Sequence, residues 1–133
     1  MDKVSVKIVS EIDIYFVQSE LLKVIVPIGF GSVDQNKIKT IVSELGFNIL
    51  KYAKRGMIRV IKLEERGKIG ILIQAVDRGP GIINIEKALQ DNYSSGGTLG
   101  LGLPGIKRLS DYFNIESVPN KETKVVVKFW YNQ

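Results

Sequence analysis

The middle of the chain constrains the fold most, because it joins one long amphipathic helix to two strands. Apolar residues recur every three or four positions through SVDQNKIKTIVSELGFNILKYAKRG (32–56), which is the period of one helix face. Asp34 is the candidate cap of this helix and Gly56 its candidate stop. The next segment, MIRVIKLEERGKIGILIQAVD (57–77), has the pattern of two strands around a turn at 65–68. The apolar stripe of the helix is Ile38, Ile41, Val42, Leu45, Ile49, Tyr52 and Ala53.

The flanking segments add further helices and strands on both sides. KVSVKIVS (3–10) alternates as a half-buried strand, and DIYFVQSELLKVIVPIGF (13–30) predicts a helix capped by Asp13 that closes near Pro27 and Gly29. A short helix is predicted over 84–92, a helix from near Leu101 to about Tyr112, and strands over 114–118 and 123–131. Hairpin-like connections dominate, so the fold class is α+β with a mostly antiparallel sheet.

Length and composition suit one domain over residues 1–133 of ordinary globular type, with 44% hydrophobic and 25% charged residues. No apolar run reaches transmembrane length and no signal peptide begins the chain, so we expect a cytoplasmic protein with no membrane partner. The chain has no cysteine, which excludes disulfides and thiolate metal sites. It also has no histidine, so acid–base chemistry must rest on Asp, Glu, Lys or Tyr.

The net charge of +5 is compatible with nucleotide phosphates, nucleic acid or an acidic protein as partner. The basic residues are interspersed with Asp and Glu, and no aromatic stacking platform is evident in the sequence. A nucleic-acid partner is therefore not expected.

Glycine is concentrated in GGTLGLGLPG (96–105), which holds five of the thirteen glycines of the chain. A glycine-rich entry into a helix can aim backbone N–H groups at an anion, and Gly100 and Gly102 would build such a phosphate cradle. Pro104 suits a first helical turn, where no N–H donor is needed. The alternative is a flexible loop with tight helix–sheet packing, and the segment alone leaves both open. It is not a P-loop, because Gly-Lys-Ser/Thr is missing.

The segment AVDRGPGI (75–82) places Asp77 at the end of an apolar strand, followed by turn residues. One interpretation is a carboxylate at the mouth of a pocket that accepts a hydrogen bond from a ligand amine. The other is an ordinary Asp–Gly turn, which the segment by itself favours.

On the long helix, Glu44 and Asn48 are four residues apart and therefore stack on one face, with Lys51 continuing their line. The line borders the apolar stripe, so it can face a cleft. Asn is a mediocre helix former, and its amide oxygen is a suitable Mg²⁺ ligand. The alternative is a solvated helix flank in which Glu44 and Lys51 are loosely paired.

The three motifs in this order resemble the GHKL family of gyrase, Hsp90, histidine kinases and MutL, over about residues 32–131. The resemblance implies the ATP-binding Bergerat fold, a two-layer α/β sandwich with helices on one face of the sheet. Without histidine or dimerisation helices, the chain resembles the small serine/threonine kinases of the anti-sigma-factor group, and most closely the switch kinases of the bacterial stressosome.

The resemblance also assigns roles to single residues. It implies that Glu44 is the general base, Asn48 the Mg²⁺ ligand and Asp77 the adenine-reading aspartate, with an ATP lid over about 83–99. Lys51 is added from its place on the helix, as a phosphate contact. The other nucleotide-binding residues that the resemblance implies are Gly79, Gly81, Ile82, Thr98, Leu99, Gly100, Leu101, Gly102, Leu103 and Thr123.

Two positions depart from the family pattern. Thr98 occupies the first position of a glycine box that often begins with glycine, and Thr123 follows Glu122 where the family usually has glycine. The first departure bears on the hinge of the lid and the second on the assignment of Thr123.

The activity implied is transfer of the γ-phosphoryl group of Mg-ATP to a serine or threonine of a STAS-domain protein, with release of the kinase to activate a PP2C-type phosphatase. One alternative is an anti-sigma-factor kinase that binds a sigma factor directly. Another is a nucleotide-gated binding module without transferase activity, against which the presence of Glu44 argues.

Overall fold

The chain forms a five-stranded sheet, and its helices, one of them long, pack on one face of that sheet. The computed structural model describes residues 1–79, 102–119 and 121–132. The predicted helix 84–92, the predicted lid 83–99, and the site residues Gly81, Ile82, Thr98, Leu99, Gly100 and Leu101 lie outside the described residues. The elements are β1 (Lys3–Ile8), α1 (Glu11–Glu20), α2 (Leu22–Ile28), α3 (Ser32–Tyr52), β2 (Gly56–Glu65), β3 (Lys68–Asp77), α4 (Gly102–Leu109), β4 (Tyr112–Val118) and β5 (Glu122–Trp130).

The described strands form a sheet in the order β1-β2-β3-β5-β4, and every neighbouring pair is antiparallel. The predicted hairpin is confirmed, with Glu65 opposite Lys68 across the turn. At the other end of β3, Asp77 lies opposite Gly56 on β2 and opposite Thr123 on β5. The register therefore places the last residue of β3 opposite the first residue of β2 and the second residue of β5.

The core lies between one face of this sheet and the helices. Along β5 the buried residues alternate, at Thr123, Val125, Val127 and Phe129, and the same alternation buries one face of the other central strands. The fully buried large side chains that fill this layer include Ile8, Ile14, Leu21, Ile25, Ile38, Ile41, Leu45, Ile58, Ile71, Ile73 and Ile106. The predicted α+β sandwich with helices on one face is confirmed.

The N-terminal helix differs from the prediction, because it is two helices with a break at Leu21. The predicted cap Asp13 is not the cap: Ser10 precedes the helix, and Asp13 lies in its first turn. There its carboxylate accepts the backbone N–H of Val9 and of Ser10, at 2.9 and 3.0 Å. Gly29 does close the second helix, since it has a φ of +113° that glycine adopts readily.

The ends of α3 also differ from the prediction. The helix begins one residue after Gly31, so Asp34 lies in the first turn, where its charge favours the helix dipole, and is not the cap. It ends at Tyr52 because Lys54 has a left-handed φ of +70°, and Gly56 already belongs to β2. Tyr52 is 48% exposed, so it does not continue the apolar stripe.

The helix that follows the glycine segment is described over Gly102–Leu109, and Tyr112 begins β4 instead of ending that helix. Pro104 occupies its third position and is buried, together with Gly105 and Ile106. Within the described parts of the chain, no helix is both long and apolar enough to cross a membrane.

Candidate active site

Glu44 and Asn48 lie in the C-terminal half of α3, four residues apart and both half-buried. Their neighbours Leu45 and Ile49 are buried in the core, so the packing of α3 on the sheet fixes the direction of this helix face. The structure therefore places the predicted base and the predicted metal ligand side by side, at the border of the core.

The carboxylate of Glu44 lies beside the first residue of α4. The backbone N–H of Gly102 donates to it, and this hydrogen bond joins the long helix to the end of the glycine segment. Burial raises the pKa of Glu44 above its ordinary value of 4.5, and the Gly102 N–H offsets part of that rise. A raised pKa makes this carboxylate a stronger base than an exposed one, which suits a proton acceptor.

Asn48 suits a Mg²⁺ site in which the protein supplies only one or two of the metal ligands. Among the described residues, its amide has no hydrogen-bond partner, and no group of three acidic side chains there could cage a metal. Mg²⁺ keeps several waters and binds through one or two protein oxygens together with substrate phosphates. The amide oxygen of Asn48 would thus be a single protein ligand to a metal carried by the nucleotide.

Lys51 lies on the same helix, one turn after Asn48. Its ammonium group sits 5.0 Å from the centre of the Tyr52 ring, a cation–π distance. Within the described residues it forms no ion pair with Glu44, so the loose pairing of the alternative interpretation is absent there.

Asp77 ends β3 in a tight turn. Its Oδ1 accepts the backbone N–H of Gly79 at 2.9 Å, which is the hydrogen bond of an Asx-type turn. Gly79 must be glycine for packing reasons, because a Cβ there would lie 2.5 Å from the Cβ of Ala53. The turn interpretation and the pocket interpretation are therefore compatible, since one carboxylate oxygen holds the turn and the other accepts no hydrogen bond from any described residue.

Three effects act on the pKa of Asp77. Burial raises its pKa above the ordinary 3.8, the N–H of Gly79 lowers it, and the negative charge of Glu122 raises it further. Sequence reasoning noted Glu122 only as a departure from the family pattern and missed this effect. The signal was its place directly before Thr123.

Thr123 is buried and lies directly opposite Asp77 across the β3–β5 pair. Directly opposed residues of an antiparallel pair share one face of the sheet, with Cβ atoms about 5 Å apart. The hydroxyl of Thr123 is 3.0 Å from the Ser117 hydroxyl on β4. Sequence reasoning missed Ser117, whose only signal is its register with Thr123 on a neighbouring strand.

The end of α3 brings these groups together. Ala53 packs against Gly79, and Ile49 packs against Gly56, where a Cβ would lie 2.9 Å from the Cγ2 of Ile49. Asn48 is the residue before Ile49, and Gly56 is the partner of Asp77 across the β2–β3 pair. The helix motif and the strand-end motif therefore meet at one end of the sheet.

The described part of the glycine segment contributes a backbone conformation and an anchor. Gly102 has a φ of +58°, in the left-handed region that favours glycine. Leu103 is partly buried and packs against the hydrophobic core. The Gly102 N–H is already directed at Glu44, so among the described residues this glycine serves the carboxylate.

Comparisons with known proteins show the family to which the chain belongs. The family described as "Histidine kinase-like ATPase domain" matches residues 16–129. The chain is 43% identical over 129 residues to the Serine/threonine-protein kinase RsbT of Bacillus subtilis (strain 168), covering 97% of both chains. It is 33% identical over 99 residues to the Anti-sigma F factor of Clostridium kluyveri, covering 71% of this chain and 70% of that protein.

A solved structure shares the fold. The crystal structure of the SiaB-SiaC complex from Pseudomonas aeruginosa contains a chain that superposes with a TM-score of 0.61, over 97% of this chain and 89% of that one. The two sequences are 12% identical, so this likeness concerns the fold alone.

Proposed function

Because the chain belongs to the histidine kinase-like ATPase domain family and is a serine/threonine-protein kinase, we propose that it phosphorylates a STAS-domain protein with Mg-ATP. The observation that carries the proposal is the half-buried Glu44 carboxylate, which lies at the Gly102 N–H and one helical turn from Asn48. The proposed base and the proposed metal ligand thus lie on one face of α3, with the base beside the first residue of α4. Phosphoryl transfer requires chiefly such positioning and charge stabilisation.

In the proposed reaction, Glu44 accepts the proton of the attacking serine or threonine hydroxyl. The hydroxyl oxygen forms a bond to the γ-phosphorus as the bond to the β–γ bridging oxygen breaks, and ADP leaves with that electron pair. The raised pKa of Glu44 makes its carboxylate a stronger base than an exposed one. Bound Mg²⁺ would supply charge neutralisation at the phosphates, and Asn48 would hold it.

Asp77 and Thr123 form the adenine end of the proposed site. The carboxylate oxygen of Asp77 that does not hold Gly79 accepts a hydrogen bond from the adenine amine. Thr123 adds a hydroxyl on the neighbouring strand, and the close approach of Gly79 to Ala53 keeps the turn against the helix. Gly81, Ile82, Thr98, Leu99, Gly100 and Leu101 remain proposed nucleotide contacts, and Lys51 a proposed phosphate contact.

The proposed partners follow the kinases that the chain resembles. The STAS-domain protein is both substrate and scaffold, and its phosphorylation releases the kinase to activate a PP2C-type phosphatase in stress signalling in the cytoplasm. A second candidate is binding of a sigma factor, which the likeness to the Anti-sigma F factor of C. kluyveri favours. Both candidates use the same catalytic groups and differ in the docking partner.

A transfer assay tests the catalytic part. The purified chain is mixed with Mg-ATP and a STAS-domain protein encoded beside its gene, and added phosphate is measured by intact mass. We expect phosphoserine or phosphothreonine on the STAS protein and transfer slowed by about 10² to 10⁴ in Glu44→Gln. Glu64→Gln, which changes an exposed carboxylate far along β2, is the matched control and retains full rate.

Calorimetry on the same samples separates binding from transfer. Glu44→Gln keeps its Mg-ATP affinity, whereas Asp77→Asn loses it. If wild-type protein binds ATP without phosphorylating any STAS protein, the chain is a nucleotide-gated binding module. Full transfer by Glu44→Gln would remove Glu44 as the base.

A further inference from the structure

The sheet has a second face, which no described helix covers. The helices bury one side of β1, β2, β3 and β5, while the alternate residues of these strands stay exposed or half-buried. A groove of about 760 Å³ lies on this uncovered face and runs to the strand ends near Asp77. Asp77 lines it, whereas neither Glu44 nor Asn48 does, so the groove meets the proposed nucleotide site only at its adenine end.

Five basic side chains line this groove. Lys7 comes from β1, Arg59 from β2 and Lys124 from β5, with Arg55 and Arg78 at the strand ends. Asp77 and Glu122 are the acidic residues among the described lining. Within residues 1–79, 102–119 and 121–132, none of the five cations forms an ion pair. Five basic and two acidic residues give the described lining a net positive charge. Three of the cations are arginines, which bind carboxylates through two parallel hydrogen bonds.

The groove has an apolar centre at Met57 and Val76, with Lys7 on one side and Lys124 on the other, and Arg59 lies next to this centre on β2. The register places Lys7, Met57, Val76 and Lys124 in one row across four strands. At about 4.8 Å between strands, this row spans roughly 14 Å from one ammonium-bearing strand to the other. An extended chain fits such a width, with its acidic side chains toward the flanks and an apolar side chain on Met57 and Val76.

We propose that this groove binds an acidic segment of a protein partner. Arginine clusters are a recurring means of recognising acidic motifs. A second copy of the chain is a poor occupant, because two-fold packing of these faces would set Lys7, Arg59 and Lys124 against one another. A nucleic acid is a poorer fit than a protein segment, since Asp77 and Glu122 repel phosphates at one end and the row is short.

Fluorescence polarisation on the full chain tests this binding. The probe is a short fluorescein-labelled peptide of alternating Glu and Val, with a peptide of alternating Lys and Val as its counterpart. We expect the acidic peptide to bind and the basic one not to bind, with affinity that falls as salt is raised. Lys7→Glu combined with Arg59→Glu should weaken binding by about tenfold or more.

Matched controls separate groove charge from net charge. Lys37→Glu combined with Lys68→Glu makes the same charge change at exposed sites on α3 and at the start of β3, and should leave peptide affinity within about twofold. Calorimetry with Mg-ATP and the melting temperature show that each variant is folded. If the double reversal fails to fold, Arg59→Gln gives a milder test with the same expected direction.

Four outcomes would overturn the proposal. Equal loss in both double variants would mean attraction by net charge alone. Tighter binding of oligothymidylate than of the acidic peptide would assign the groove to nucleic acid. Sedimentation as a dimer that Lys7→Glu and Arg59→Glu dissociate would make it an interface between copies. Absence of acidic-peptide binding at low salt also refutes it.

Discussion

At the scale of the residue, two carboxyl groups carry the proposed chemistry, and burial raises the pKa of both. Burial raises the pKa of Glu44 and of Asp77, while a backbone N–H holds each of them, from Gly102 and Gly79 respectively. The hydrogen bonds fix the carboxylates in place and keep them ionised more readily than burial alone would allow. Position and basicity are thus set by the same neighbours.

The pH dependence of phosphoryl transfer follows from Glu44. The base must be ionised, and its pKa lies above the ordinary 4.5, so the rate at saturating Mg-ATP should fall as pH drops, with a midpoint above 4.5. Single-turnover transfer measured between acidic and neutral pH checks this. A rate that stays constant down to that value would contradict the assignment of the base.

The pH dependence of ATP binding follows from Asp77 and its neighbour Glu122. Glu122 raises the pKa of Asp77, so Glu122→Gln should lower it and move the acidic loss of ATP affinity to lower pH. Calorimetric titrations of ATP across the acidic range measure this midpoint. Glu64→Gln, remote on β2, should leave the midpoint unchanged, and an equal shift in both variants would argue against a local charge effect.

At the scale of the element, the contact between the end of α3 and the strand ends positions the site. Gly56 pairs with Asp77, and a Cβ at Gly56 would lie 2.6 Å from the Val76 carbonyl oxygen and 2.9 Å from Ile49. The glycine therefore lets the helix approach the sheet at the point where Asp77 leaves it. Its role is packing, since its neighbours in the structure are helix and strand atoms.

A substitution at this contact should separate packing from chemistry. Gly56→Ala should destabilise the fold by about 1–3 kcal/mol, because a backbone oxygen cannot move aside cheaply. Gly31→Ala is the matched control: it has no atom within 4 Å of the added Cβ, and we expect a loss of about 0.5 kcal/mol from a poorer helix cap. Urea unfolding of both variants gives the comparison, and equal losses would mean that the contact is loose.

At the scale of the whole molecule, the ionised carboxylates of the proposed site reduce the free energy of unfolding. A carboxyl whose pKa is higher folded than unfolded contributes stability below its unfolded pKa, and this contribution is lost as pH rises through the folded pKa. Glu44 and Asp77 both have raised values, so at neutral pH the ionised pair makes the free chain less stable. Bound nucleotide stabilises the folded chain by mass action.

Replacing one of these groups should therefore stabilise the chain without nucleotide. We expect Asp77→Asn to raise the melting temperature at neutral pH by a few degrees, since the amide oxygen still accepts the Gly79 N–H and no charge is buried. Mg-ATP should raise the melting temperature of the wild type and leave that of Asp77→Asn unchanged. A variant that melts lower than wild type and still responds to Mg-ATP would contradict both expectations. Differential scanning fluorimetry measures both.

The sequence determined those features that depend on short spacings. The alternation over 57–77 predicted two paired strands, and the four-residue step from Glu44 to Asn48 placed both on one face of α3. The absence of histidine and cysteine narrowed the chemistry to carboxylates and amides. The order of the three motifs along the chain (helix, strand end and glycine segment) was sufficient to recognise the resemblance to the family.

Contacts between segments that lie far apart in the chain were not predictable from spacing and are visible only in the folded protein. The pairing of Asp77 with Thr123 depends on strand register, and the hydrogen bond from Gly102 to Glu44 depends on how α4 meets α3. Two helix boundaries were also not predicted, the cap of α1 at Ser10 and the end of α3 at Tyr52. Considered in isolation, Asp13 suits a helix cap and Gly56 a helix stop equally well. Residue spacing within one segment can be read directly from the sequence and predicts its helix or strand. Strand register, burial and the pKa shifts that burial causes arise only when distant segments pack.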